Sequence, residues 1–207
     1  MEGKFIVLEG IDGAGGETQS KLLKKELEEA GYQVLLLSYP DYEGPIGKLL
    51  HDFLHGKYEL SPEVQLLLYS ADMIKDMQRI KQAIREGRLV ISDRYFYLTT
   101  LAYQCLKGAD LEKALSYAKL FGILVPDLII FLDVSPETSI KRKYEEKGEL
   151  DLHEKDEGFL KKLSKFFKQL IDQGIGGKVE TIDGEKSIEE VAEEIRGIVS
   201  RNLGIKF

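Results

Sequence analysis

A single cysteine, Cys105, stands in 207 residues, so no internal disulfide can form and a reducing compartment suits the chain. No base lies beside it in sequence to make a catalytic thiol, and a buried, inert side chain is the expectation. Long apolar runs are also missing: none approaches the roughly 20 residues needed to cross a bilayer. Met1-Glu2-Gly3-Lys4 passes directly into the short stretch Phe5-Ile6-Val7-Leu8, without the features of a secretory leader. Gly3 is third and not second, which excludes a myristoylation start. A cytoplasmic protein with no membrane partner is expected. Positive charge is in deficit as well. Lys and Arg number 29 against 36 Asp and Glu, a formal net charge of −7, whereas duplex nucleic acid is held by clustered Lys and Arg. A small anion needs only a local nest of backbone N–H groups and a few cations. The expected partner is a small molecule, with no nucleic acid.

What is present reads as one domain over 1–207: hydrophobic residues make up 43% of a chain too short for two comfortable cores. Apolar runs predict strands at Lys4–Glu9, Tyr32–Tyr39, Arg88–Ser92, Asp127–Asp133 and Lys178–Asp183. Between them, Leu22, Leu23 and Leu27 place a helix over Thr18–Ala30, closed by Gly31. A second helix is expected over Pro45–His55. A longer one, capped by Ser61 with Pro62 at its first position, is expected to run to about Arg85 and stop at Gly87. Helical stretches follow from Tyr95 to Phe121 with a break near Gly108. Ser135-Pro136-Glu137 opens another helix, and the capping box Ser187-Ile-Glu-Glu190 opens the last. Residues 141–165 are heavily charged and receive no assignment. Strands alternating with helices predict an α/β fold: a five-stranded, mostly parallel sheet with helices on both faces and sites at the carboxyl ends of its strands.

The first such end carries Gly10-Ile11-Asp12-Gly13-Ala14-Gly15-Gly16-Glu17-Thr18. Strand, glycine-rich turn and helix is the context in which backbone N–H groups and a helix N-terminus wrap phosphate. The pattern G-x-x-x-x-G-K-[ST] is met at Gly10 and Gly15 and missed where Gly16 and Glu17 replace its Lys and Ser/Thr. A dinucleotide fingerprint fails too, because Thr18 stands at its third glycine. By itself the loop is a weak match, and a tight turn without a ligand would account for about one such case in three.

Further segments in order give the loop its context. "FIVLEGIDGAG" followed by "TQ", "YPDYEGPIGKLLHDFL" (39–54), "LLLYSAD" (66–72), "SDRY" (92–95), "LAYQ" (101–104), "DLIIFLDVSPETSIKR" (127–142) and "GELD" (148–151) together resemble the thymidylate kinase family over nearly the whole chain. The resemblance implies a three-layer P-loop NTPase fold with a helical lid at about 141–156, ATP and Mg²⁺ as cofactors, dTMP as acceptor, and a homodimer packed through the 95–121 region. Leu98, Leu101, Leu115 and Leu120 are compatible with such a dimer and equally with a monomer core.

Carried over residue by residue, Gly10 to Thr18 would hold ATP, with Arg142 from the lid helix, and Thr18 near the α-phosphate. Asp12 would accept the deoxyribose 3′-hydroxyl; its bland role is to stiffen its own turn. Arg94 would clamp the acceptor phosphate with its planar fork. Asp93 would hold Mg²⁺ or its waters, the plain alternative being an Asp93–Arg94 salt bridge. Pro40 and Tyr95 fall among the substrate neighbours. Tyr69 would stack on the base, although its spacing suits core equally. Tyr103 and Gln104 would face sugar and base, but the chain between Asp-Arg-Tyr and Ala-Tyr-Gln carries one extra residue, which turns a helix by about 100°.

The departures share a direction. Gly16 replaces Lys, Met73 replaces a base-reading Arg, Leu152 replaces a lid Arg, and Tyr42 stands where some members carry Arg. Losing one preorganised donor costs about 2.7–4 kcal/mol in the barrier. A Glu17 carboxylate about 5 Å from a phosphate adds roughly 3 kcal/mol of repulsion at an effective dielectric near 20. Together these slow phosphoryl transfer by about four to five powers of ten, unless Glu17 ligates Mg²⁺ directly or Lys141, Arg142, Lys143 or Lys147 reaches in from the lid. A nucleotide-binding homologue with little or no kinase activity, or a kinase for another monophosphate, is therefore the competing reading. His51 and His55, four apart on a helix, lack a third ligand and read as a solvated face.

Overall fold

The computed structural model describes residues 2–148 and 156–207. Its five strands are β1 (Phe5–Glu9), β2 (Val34–Ser38), β3 (Leu89–Asp93), β4 (Leu128–Asp133) and β5 (Val179–Asp183). They form one sheet in the order β2-β3-β1-β4-β5, and every neighbouring pair is parallel. Each residue of β1 and β3 is buried. Apolar residues without alternation fit strands covered on both faces, and Ile6, Val7 and Leu8 are fully enclosed. Burying one such side chain contributes about 1.5–3 kcal/mol.

Helix α1 (Gly16–Glu29) starts two residues before the expected position and packs on β1, β2 and β3. α2 spans Pro45–Leu54. The single helix expected from Pro62 to Arg85 is two, α3 (Pro62–Ile74) and α4 (Met77–Arg85). The break falls where Lys75 Nζ meets Asp72 at 3.0 Å, Asp76 at 2.8 Å and Asp41 at 3.2 Å, while the Tyr39 hydroxyl donates to Asp76 at 3.1 Å. A π-helical turn (Phe96–Thr100) leads into α5 (Leu101–Leu106), and α6 spans Leu111–Leu120.

The charged region contains α7 (Pro136–Lys147), capped by Ser135, and α8 (Glu157–Asp172). α8 buries Leu160, Leu163, Phe167 and Leu170, a helical stripe among its charges. Of the expected lid, residues 149–155, Leu152 among them, lie outside the described residues. α9 (Ile188–Leu203) opens on the expected capping box and packs on β4, β5 and α1. Among the described residues no helix is long and apolar enough to cross a membrane.

Candidate active site

β1 delivers the chain to the edge of the sheet, and residues 10–15 fold back there into α1. Gly13 has φ 77°, and a Cβ on it would lie 2.7 Å from Ser139 O, so glycine lets α7 close onto the turn. The Ser139 hydroxyl donates to Asp12 O at 2.5 Å, and the Arg142 guanidinium donates to Gly13 O at 3.3 Å and Gly184 O at 2.9 Å. Gly10 to Thr18 line a cleft of about 960 Å³ together with Asp93, Arg94, Arg142 and Lys143. A Cβ on Gly16 would sit 2.4 Å from Asp93 Oδ1. The space a side chain at position 16 would enter is taken by that carboxylate.

Arg94, one residue past β3, has φ 65°, a left-handed backbone that non-glycine residues rarely adopt. Two hydrogen bonds hold it there: Arg94 N–H donates to Leu8 O at 2.8 Å, and the Ser92 hydroxyl donates to Arg94 O at 2.7 Å. The result points Arg94 across the sheet edge, where its guanidinium donates to Asp12 Oδ1. The Tyr103 hydroxyl donates to the other Asp12 oxygen at 2.7 Å. Burial alone would raise Asp12, but Arg94 and Tyr103 hold its carboxyl down at about 2. Arg94's partner is thus Asp12, not the adjacent Asp93. Burial pushes Asp93 upward, against the pull of Arg94.

Glu9, fully enclosed at the end of β1, accepts from Tyr95 N–H at 3.0 Å and from the Thr99 hydroxyl. Its desolvation outweighs those bonds and raises it to about 8. It braces the chain just after Arg94, a role nothing in the sequence announced.

A second, smaller cavity of about 50 Å³ adjoins the first and is lined by Tyr69, Met73, Tyr103 and Gln104, with Asp12, Tyr39, Pro40, Tyr42 and Arg94 shared between the two. The extra residue before α5 is absorbed by the π-helical turn, where Thr100 N–H reaches back to Tyr95 O at 3.3 Å. Taking the insertion there leaves Tyr103 and Gln104 facing the cavity. Gln104 is buried, and its Oε1 has no hydrogen-bond partner among the described residues. Met73 is buried, with the Thr100 hydroxyl 3.9 Å from its sulfur. Tyr95 departs from expectation. It is fully buried, its ring edge-on to Phe5 at 5.0 Å and its hydroxyl on Met77 Sδ at 3.5 Å, so it is core and lines neither cavity.

Glu17 points along α1, paired with Lys21 at 2.5 Å, and Thr18 is exposed at the cleft. At the cleft wall Asp93 accepts from the Ser38 hydroxyl at 3.4 Å. One carboxylate at the wall fits a Mg²⁺ held chiefly by phosphate oxygens and water; the glycine-rich turn with Arg142 fits a polyphosphate. Away from the cleft, His51 and His55 stack at 4.0 Å on exposed α2. Burial pushes the half-buried Cys105 thiol up to about 11, leaving it unreactive.

Comparison with known proteins agrees with this geometry. The family profile described as thymidylate kinase matches residues 8–195. The probable thymidylate kinase of Thermococcus gammatolerans is 34% identical, covering 97% of this chain and 98% of that protein. The thymidylate kinase of Schizosaccharomyces pombe is 32% identical over 96% of this chain and 92% of its own length. In fold, the chain matches the solved structure of thymidylate kinase from Candida albicans with a TM-score of 0.76 at 24% identity, covering 97% of this chain and 92% of that one.

Proposed function

We propose, from the premise that this chain belongs to the thymidylate kinase family, that it phosphorylates dTMP to dTDP at the expense of ATP, a step toward dTTP. The carrying observation is Arg94, which a left-handed backbone places on the wall shared by the two cavities. A phosphate bound there faces the glycine loop, while its sugar and base extend toward Asp12, Tyr103, Gln104 and Tyr69.

In this reading Arg94 orients the acceptor phosphate and balances its charge. Asp12, ionised, accepts the 3′-hydroxyl while keeping Arg94 in place. An acceptor phosphate oxygen attacks the γ-phosphorus, the bond to the β-bridging oxygen breaks, and ADP leaves with that electron pair. Catalysis of such a transfer is positioning and charge stabilisation. The loop N–H groups and Arg142 hold the triphosphate, and Thr18 lies by the α-phosphate. Asp93 would hold a Mg²⁺ or its waters, with Glu17 as the second candidate once released from Lys21, and the ion would supply charge neutralisation.

Two observations favour narrower alternatives. Gly16 and Glu17 in place of Lys and Ser/Thr support a nucleotide-binding protein of low activity. Buried Met73 in place of an Arg supports weaker discrimination among bases, and so another monophosphate. A cytoplasmic homodimer belongs to the same proposal. Leu98 and Leu101 are fully buried in the chain's own core, so an interface would draw on exposed Leu120 and Phe121 instead.

An ADP-release assay with ATP and Mg²⁺ against dTMP, dUMP and other monophosphates tests this. Turnover with dTMP, abolished in Arg94→Ala, is expected. Nucleotide binding without turnover selects the low-activity reading, and faster turnover with another monophosphate reassigns the acceptor.

A further inference from the structure

Resting on the phosphate-transfer reading, we propose that Lys143 of α7 supplies the phosphate-binding ammonium that the loop lacks at position 16. α7 is docked on the loop through one face: Ser139 on Asp12 O at 2.5 Å and Arg142 on Gly13 O at 3.3 Å. Positions 139, 142 and 143 are spaced three and four apart and share that face. Lys143 accordingly lines the same cleft as Gly13 to Thr18, and its side chain is only 16% exposed.

Of the other cations lining the cleft, Arg79 is 62% exposed and meets Asp76 only at 3.9 Å, and the rest have closer partners. Arg94 is bound to Asp12. Arg142, already assigned to the triphosphate, is anchored on two backbone carbonyls. Lys186 is tied to Glu194 of α9 at 2.8 Å, and Lys21 to Glu17 on the exposed flank of α1. Lys143, like Lys21, is paired with an exposed carboxylate, but it lines the cleft and Lys21 does not. Its ion pair, with Glu146 at 2.7 Å, joins it to a side chain that is 53% exposed. Such pairs contribute little, so an incoming phosphate displaces Glu146 easily. The positive charge of Lys143 is felt at both Asp12 and Glu17, the acidic residues that bracket the loop. A lysine suits the task because its ammonium is a compact charge on a flexible stem. The place beside Gly16 is meanwhile closed by Asp93, so the cation approaches from the opposite wall.

Calorimetric titration of the full chain with ATP–Mg²⁺, and separately with dTMP, tests the assignment. Lys143→Ala is expected to weaken ATP binding by about tenfold to a hundredfold, the effect of one charge-assisted hydrogen bond, while leaving dTMP binding unchanged, which also shows that the variant is folded. Lys143→Arg retains most ATP affinity. Lys25→Ala, removing an exposed charge elsewhere on α1, changes nothing. Gly16→Lys added to Lys143→Ala restores at least part of the loss. If the wild-type chain binds ATP and Lys143→Ala binds it equally well, Lys143 is not the missing ammonium and the kinase reading stands without it. If the wild-type chain binds no ATP, both readings fail together.

Discussion

Where Asp12, Arg94 and Tyr103 meet, the cleft is closed by side chains that already hold one another: a guanidinium on one carboxylate oxygen and a phenol on the other. At the mouth of α1, a few residues away, the wall is glycine and backbone, and the Glu17 side chain is turned to Lys21. The proposed acceptor end is thus preorganised, its polar groups held by one another, which is the arrangement that stabilises developing charge most effectively. The donor end has the shape of a phosphate cradle but leaves much of the charge balance to groups outside the loop. Family membership therefore says more about what binds at Arg94 than about how fast phosphate moves.

The largest expected effect breaks the organised end. Arg94→Ala lowers kcat/KM for dTMP by at least about 10²–10³-fold in the ADP-release assay, the range for losing one preorganised donor. A loss below tenfold would mean that the acceptor phosphate sits elsewhere. Repairing the open end is next: Gly16→Lys with Glu17→Thr raises turnover at least about tenfold, a fraction of the 2.7–4 kcal/mol one donor supplies. For this Asp93 must rotate from the 2.4 Å approach that glycine permits. No gain at all refutes the idea that missing charge limits the rate.

A finer probe of the organised end is Tyr103→Phe, which removes one of the two side-chain donors to Asp12. It weakens dTMP binding by about tenfold, as expected for a hydrogen bond to a charged group, with ATP binding unaltered. Equal loss for both nucleotides would place Tyr103 in the fold and not in the site.

The smallest effect concerns the brace beneath Arg94. Glu9 has a folded-state pKa raised to about 8 from 4.5, so the native state holds its proton more tightly than the unfolded chain. Its contribution to stability is complete below about 4.5 and is lost as pH rises through about 8. Glu9→Gln, which mimics the protonated form, removes this dependence. Denaturant midpoints of the variant should change less between pH 5 and 8 than those of the wild type, and parallel profiles would show that Glu9 does not titrate there.

The parallel sheet was legible because its strands are short unbroken apolar runs, a pattern that survives without knowledge of neighbours. The helix break at Lys75 was not. It depends on Asp41 and Tyr39, more than 30 residues earlier, and apolar spacing alone carries straight through it. The extra residue before α5 could be counted in the sequence, but whether it would rotate Tyr103 away was settled only by the π-helical turn that absorbs it. Asp12, Arg94 and the glycine loop were singled out from motif order, and the structure brings them to one cleft. Tyr95 was misplaced for an instructive reason: the left-handed turn at Arg94 sends adjacent side chains opposite ways, one into the cleft and the next into the core. Ser139 carried no sequence signal as the residue that docks α7 on the loop, since its role is to meet a backbone carbonyl 127 residues away.

Equilibrium titration of the wild-type chain with ATP–Mg²⁺ bears most directly on whether backbone N–H groups at the start of α1, helped from α7, still hold a triphosphate without a lysine at position 16. Saturable heat at one site per chain, weakened when ADP replaces ATP and weakened further with AMP, is the expected result. A flat titration, in protein that still binds dTMP, would contradict it.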